Sequence, residues 1–202
     1  MRGECLPPGR ALTGGELLAL FRACADDRNR VAGARDAALL AIGYGAGLRR
    51  AELVALDLAD YNPESGELRV RRGKGRKDRL VYATNGAGDT LNAWLRLRGE
   101  EPGPLFCLVD KAGRVEIRRI TGQAVLYVLR RVATDAGVAA FSPHDLRRTF
   151  ISDLLDRTGD LIATQHLGGR ANSSTTGRYD RRGERAKRKP AERLHVPFVA
   201  AS

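Results

Sequence analysis

Ser142-Pro-His144-Asp-Leu-Arg147-Arg148-Thr-Phe150 is the stretch on which the reading of this chain turns. A serine followed by proline is a helix-start signature, a cap residue and then a ring already fixed at helical φ. On the helix that follows, His144 and Arg147 lie three residues apart and share a face. An imidazole and a guanidinium on one face suit an anion. Further along, Thr175-Thr-Gly-Arg178-Tyr179-Asp-Arg181-Arg182 sets a lone phenol among arginines. A phenol is an uncommon nucleophile, and fixed cations that hold a phosphate beside it make it a plausible one.

Upstream, helical patterns dominate. Thr13-Gly-Gly-Glu16 followed by an apolar run is a capping box opening an amphipathic helix. Residues 36–44 read as a buried helix with glycines at its exit, and 50–55 as a short helix. Leu68-Arg-Val-Arg-Arg72 and Arg79-Leu-Val-Tyr-Ala83 flank Gly73-Lys74-Gly-Arg76-Lys77-Asp78, the pattern of a β-hairpin with a basic tip. Residues 91–97 are helical with Trp94 in the core, 105–109 form a short apolar run that suits a third strand, and 121–136 form a long amphipathic helix ended by Gly137. Helical patterning continues from Ser142 to Leu167 and resumes near Ser174. The expected class is α+β, predominantly helical, with a small antiparallel sheet. Residues 1–12 read as a leader or linker stump, 13–182 as the catalytic domain and 183–202 as a basic tail.

Composition narrows the partner. The 202 residues carry 35 Lys+Arg against 24 Asp+Glu, a net charge of +11, and 43% of them are hydrophobic. That is enough apolar material for a packed core, and the surplus of positive charge points to a polyanion, DNA or RNA first. A basic protein with no such partner is the plainer reading, and charge alone does not exclude it. Cys5, Cys24 and Cys107 are odd in number and widely spaced, so neither a disulfide framework nor a zinc site is expected. No apolar run approaches membrane-spanning length, and the expected location is the cytoplasm, with the nucleoid.

Four basic features recur along the chain. Arg49 follows a glycine-rich turn at a helix start, where by itself a solvated arginine is the simpler explanation. The hairpin tip carries Arg72, Lys74, Arg76, Lys77 and Arg79, a density of like charge that suits phosphate tracking better than an idle turn. His144 alone would more often be structural, but Arg147 and Arg148 shift it toward anion binding. Tyr179, beside Arg178, Arg181 and Arg182, can equally stack on a base. As a set they supply a nucleophile, charge clamps and proton-transfer groups, with no metal ligands. Attack on a phosphodiester spreads negative charge over the non-bridging oxygens, and planar guanidiniums stabilise it through paired hydrogen bonds. Lys74 is placed to protonate the leaving 5′-oxygen, and His144 to exchange a proton with the phenol.

At these residues the chain resembles the catalytic domain of the tyrosine recombinases, the phage-type integrases, over about residues 11–195. Gly45-Ala-Gly-Leu-Arg49-Arg-Ala-Glu52-Leu is similar to the family's first-arginine motif, Gly73-Lys74-Gly-Arg-Lys-Asp-Arg79 to its lysine hairpin, and His144-Asp-Leu-Arg147-Arg to its histidine–arginine motif. Tyr179 falls at the family's nucleophile, and Glu52 at an acidic position that supports the first arginine from behind. The resemblance implies the DNA breaking–rejoining fold, cleavage and rejoining of double-stranded DNA through a 3′-phosphotyrosine, no metal or nucleotide cofactor, and a tetramer on DNA.

Two features depart from the family pattern. Arg170, nine residues before Tyr179, stands where the family usually has histidine or tryptophan. It adds a cation and a hydrogen-bond donor but transfers no proton. A separate helical core-binding domain usually precedes the catalytic one, and about a dozen residues precede the first helix here, so the expectation is that this domain is absent. A DNA-binding remnant without catalysis and a relaxing enzyme of the type IB topoisomerase kind both stay open beside the integrase reading. The tail adds Arg185, Lys187, Arg188 and Lys189 and then an apolar end, Leu194, Val196, Phe198 and Val199, expected to dock on a neighbouring protomer.

Overall fold

The computed structural model describes residues 9–71 and 78–168. Thr13 opens helix α1 (Gly14–Ala25) as the sequence predicts, with the Glu16 amide donating to Thr13 Oγ1 at 3.2 Å and the Thr13 amide to the Glu16 carboxylate at 2.8 Å. Helix α2 (Arg30–Gly45) starts six residues before the expected Asp36, because Asn29 caps it. The Asn29 side chain accepts from the Ala32 amide at 3.0 Å and donates to the Asp110 carbonyl at 2.9 Å. Gly33 allows α1 and α2 to close, since a Cβ there would sit 2.2 Å from the Cys24 carbonyl oxygen. Ala38 to Ile42 are buried all round, and α2 packs chiefly on α1 and on α4 (Gly86–Arg98). A helix apolar on every side belongs at the centre of a domain.

Between these helices come α3 (Arg50–Ala55), a 3₁₀ turn at Leu58–Asp60, and the antiparallel pair β1 (Glu67–Val70) and β2 (Arg79–Tyr82), in register Glu67↔Tyr82 and Val70↔Arg79. Leu68, Val70 and Val81 face the core. Helix α4 begins at Gly86 rather than Leu91 and buries Trp94 completely, its indole N–H on the Leu105 carbonyl at 2.9 Å. The anticipated third strand is β3 (Cys107–Val109), and it pairs with β4 (Val115–Arg119), so the described residues hold two hairpins rather than one. Sequence reading passed over β4 because Val115 and Ile117 are only half-buried and Glu116, Arg118 and Arg119 are exposed.

Helix α5 (Gly122–Asp135), capped by Thr121, lays Val125, Val128, Leu129 and Val132 on the same core. It also brings Arg131 to Asp36, which is fully buried and bonded by Arg131 at 2.6 Å and by its neighbour Arg35 at 2.8 Å. Burial pushes the Asp36 carboxyl above its ordinary value, against the pull of the two guanidiniums. Cys24 and Cys107 are buried free thiols, and burial raises Cys24 to about 12, so it is inert. Helices α6 (Pro143–Thr158) and α7 (Leu161–Leu167), divided by left-handed Gly159, rest partly on a second, smaller cluster of Phe150, Ile151 and Leu155. Among the described residues no helix is long and apolar enough to cross a membrane.

Candidate active site

Three chain segments converge where α3 begins. Gly47 turns the chain with φ +61, a conformation that favours glycine, and a Cβ there would lie 2.3 Å from the Phe150 ring. Two residues on, Arg49 caps α3 with extended backbone and a side chain 45% exposed. Its amide donates to Glu52 Oε2 at 2.8 Å and its Nη1 to Glu52 Oε1 at 2.9 Å.

Glu52 takes a second guanidinium. Arg79, on β2, donates Nη1 to Oε1 at 2.7 Å and Nη2 to Oε2 at 2.8 Å. Burial by itself would raise the Glu52 carboxyl, but the Arg79 hydrogen bonds, the Arg49 amide and the two positive charges outweigh it and hold it down to about 2. Arg79 also donates Nε to the Leu167 carbonyl at 3.4 Å. The sequence grouped Arg79 with the hairpin-tip cations expected on DNA, whereas the structure turns it inward, 10% exposed. Strand alternation carried the signal, since Arg79 shares a face with buried Val81, while Leu80 and Tyr82 are left exposed.

Helix α6 supplies the second motif. Asp145 accepts from the Ser142 amide at 2.9 Å and hydroxyl at 2.8 Å, fixing the helix start that the Ser-Pro pair announces. His144, the second residue of this helix, is exposed. Arg147 is 2% exposed. It donates Nη1 to the Gly47 carbonyl and Nη2 to the Gly168 carbonyl, joining the turn before Arg49 to the end of α7. Arg148, expected on DNA, is half-buried and donates to the Gly9 carbonyl. Arg49, Glu52, Arg79 and Arg147 are therefore gathered in one network, with His144 on the same helix as Arg147. Lys74, Arg72, Arg76, Lys77, Arg170, Arg178, Tyr179, Arg181, Arg182 and the tail lie outside the described residues.

Two residues that the sequence did not single out brace the surroundings. Arg71, at the foot of the hairpin, pairs with Asp60 at 2.6 Å. Arg119, from β4, donates to the Val54 carbonyl at 2.6 Å and the Leu56 carbonyl at 3.1 Å, closing the end of α3, and pairs with Asp57. Four carbonyls are orphaned at any helix C-terminus, and a distant arginine meets that need here.

Solved structures of similar fold include recombinases. The XerA recombinase superposes with a TM-score of 0.73 at 26% identity, over 94% of this chain and 67% of that one. The XerH site-specific recombinase bound to its difH substrate superposes at 0.72 and 23% identity, over 93% of this chain and 55% of that one. The fold is thus the tyrosine-recombinase catalytic-domain fold. The chain belongs to the phage integrase family, matching it across residues 10–185. Tyrosine recombinase XerC of Vibrio parahaemolyticus serotype O3:K6 is 40% identical over 148 residues, 72% of this chain and 46% of the relative. XerC of Pseudomonas aeruginosa strain LESB58 is 38% identical over 170 residues, 77% and 54% respectively. The chain spans about half the length of these curated relatives.

Proposed function

We propose that this chain is the catalytic domain of a site-specific recombinase or integrase that cleaves and rejoins double-stranded DNA through Tyr179. The phenol oxygen attacks the scissile phosphorus, the P–O5′ bond breaks, and a 3′-phosphotyrosine and a free 5′-hydroxyl result. The phenol proton passes to His144 or to water, and Lys74 protonates the leaving 5′-oxygen. No bond is hydrolysed, so attack by a 5′-hydroxyl reverses the step and rejoins a strand without an external energy source. Arg49, Arg147 and Arg170 hold the non-bridging oxygens, and loss of one such donor costs about 3–4 kcal/mol of transition-state stabilisation.

One observation carries this reading. Arg147 reaches across a hundred residues of sequence to the Gly47 carbonyl, two residues before Arg49. The two arginine motifs are thereby held in one place. An ordinary basic surface has no need of such a bond.

The test is a nicked duplex whose cleaved end diffuses away and traps the covalent intermediate. A pool of such duplexes with randomised half-sites is incubated with the protein, and covalent adducts are captured under denaturing conditions. We expect an adduct that Tyr179→Phe abolishes. Failure to trap any adduct would leave the DNA-binding remnant, the reading that Arg170 in the usual histidine position favours. In that case Arg170→His is expected to restore adduct formation. Relaxation of supercoiled plasmid without site preference would support the topoisomerase-like alternative.

The same reading places the chain in the cytoplasm, on nucleoid DNA, and self-associating there as a tetramer. The remaining hairpin and tail cations, Arg72, Arg76, Lys77, Arg178, Arg181 and Arg182, contact the backbone. An apolar cleft of about 640 Å³, lined by Leu18, Phe21, Tyr44, Phe150 and Leu154, suits the apolar end of a neighbour's tail. Deleting residues 191–202 is expected to weaken assembly on DNA in gel-shift and light-scattering measurements, and an unchanged assembly would refute the docking.

A further inference from the structure

Residues 9–12 lie against α6, the helix that carries His144 and Arg147. Asp145, Arg148 and Thr149, spaced i, i+3 and i+4, present one face of that helix to them. Arg148 donates Nη1 to the Gly9 carbonyl. The Leu12 amide donates to Thr149 Oγ1 at 2.9 Å, and the Thr149 hydroxyl donates to the Asp145 carbonyl at 2.7 Å. Between them, Arg10 donates Nη1 to Glu16 Oε1 at 2.6 Å and Nη2 at 2.7 Å to the Ala139 carbonyl, in the segment that leads into α6. Gly9 approaches so closely that a Cβ there would sit 2.7 Å from Asp145 Oδ1, and that carboxylate is itself held by Ser142 at the helix start. The segment is thus bonded to α6 at both of its ends.

Thr149 is wholly buried within α6. Threonine is a poor helix former, and a buried hydroxyl must find partners. This one gives its single proton to Asp145, so its lone pairs are what the Leu12 amide meets. Leu12 is buried in the main core. The hydroxyl therefore ties α6 to a segment that the core already holds. On the neighbouring face of the same helix, Arg147 grips the Gly47 and Gly168 carbonyls. The helix is held from two sides, and a roll that loosens one hold disturbs the other.

We infer that residues 9–12 form a strap that fixes the rotation of α6 about its axis, with Thr149 as the positioning residue through which the strap sets Arg147 and His144 against the scissile phosphate. This rests on the recombinase reading above. Successive helix residues are set about 100° apart, so a roll of the helix swings every side chain with it and moves the tip of a long guanidinium furthest. Thr149 itself is buried away from any DNA. Its loss therefore acts on the rate of cleavage and leaves DNA binding alone.

The experiment measures single-turnover adduct formation at saturating DNA, with DNA affinity in parallel, for the wild-type chain, Thr149→Val, Thr149→Ser and Arg10→Gln. Hydrogen exchange at the Leu12 amide is followed by NMR. Wild-type protein in enough urea to match the stability of Thr149→Val is the control for instability in general. Thr149→Val is expected to slow cleavage about 10-fold or more, toward the roughly 100-fold that a 1 Å misplacement costs, with affinity unchanged. Its Leu12 amide should exchange faster than in the wild type. Thr149→Ser keeps the hydroxyl and is expected to restore both the rate and the protection. Arg10→Gln, which loosens the partly exposed part of the strap, is expected to slow cleavage by a smaller factor, and it decides the matter if Thr149→Val does not fold. Four results would overturn the inference: Thr149→Val cleaving no more slowly than the urea control, a Leu12 amide equally protected in Thr149→Val and wild type, Thr149→Ser as slow as Thr149→Val, or Arg10→Gln at the wild-type rate. If the wild-type chain forms no adduct, the recombinase reading falls and the catalytic role of the strap with it; once it does, the variants decide the inference alone.

Discussion

Replacing Gly47 by alanine attacks the turn on which both arginine motifs depend. Two costs can be worked from the geometry. At φ +61 an L-residue suffers a left-handed strain of about 1–2 kcal/mol. The new methyl would also lie 2.3, 2.6 and 2.9 Å from three carbons of the Phe150 ring. The ring belongs to α6 and its carbons are rigidly linked, so relief requires a shift of ring or backbone. Overpacking of this kind costs about 1–3 kcal/mol. The expected total is about 2–5 kcal/mol, measured as the loss in unfolding free energy in urea. Introducing Gly47→Ala into a Phe150→Leu background removes most of the clash and should leave only the backbone strain of about 1–2 kcal/mol. A loss under about 1 kcal/mol in the natural background would refute the reasoning, because both terms would then have been absorbed by relaxation. The same methyl displaces the Gly47 carbonyl from Arg147, so cleavage should fall even at temperatures where the variant stays folded.

Arg131→Met leaves fully buried Asp36 with Arg35 alone, and a cost of about 3–5 kcal/mol is expected by urea unfolding; a loss near zero would mean that Asp36 is held neutral. The Glu52 carboxyl, held down to about 2 in the folded chain against an ordinary 4.5, adds stability above pH 4.5 that is lost as pH falls toward 2. That contribution is at most about 3 kcal/mol before solvent screening, so the acid unfolding curve of Glu52→Gln should be flatter across that window, and an unchanged curve would count against the Arg79 fork. Because α6 and α7 rest partly on the small cluster of Phe150, Ile151 and Leu155, their amides should exchange with solvent faster than those of α2, and equal protection would mean that the two clusters unfold as one.

What the sequence made legible was local and strongly signalled. Thr13 with Glu16, Ser142 with Pro143, and Trp94 in the core each rest on a short-range rule, and each appears in the structure where that rule puts it. What it hid needed long-range contact. The start of α2 depends on Asn29, whose side-chain amide is tied to Asp110, 81 residues away. Strand β4 exists because β3 offers it an edge. The site divides the same way. His144, Arg147, Arg49 and Glu52 are visible as motifs, but nothing in the motifs says that Arg147 turns to backbone carbonyls or that Arg79 turns inward. A run of five cations in eight residues, Arg72 to Arg79, invites a single electrostatic explanation. The alternation of β2 shows that the last of them obeys the pleat instead.

The inward turn of Arg79 and the buried grip of Arg147 have a common physical logic. Each bonds groups from segments far apart in sequence, and each uses the two-pronged guanidinium to hold two acceptors at once. A lysine in either place would be a point charge able to swing between acceptors, and the segments would lose their register. Arginine is therefore used in two ways in this domain. Arg79 fixes the Glu52 carboxylate, and Arg147 ties the Gly47 turn to the end of α7. Half-exposed Arg49 is oriented by the same carboxylate that Arg79 holds. Neutralising phosphate over a broad surface needs only abundant charge, which any of the exposed arginines supplies. Aligning one phosphate for in-line attack needs guanidiniums whose own positions are fixed, and on the recombinase reading proposed above Arg49, tied to Glu52 through its amide and Nη1, is one of them.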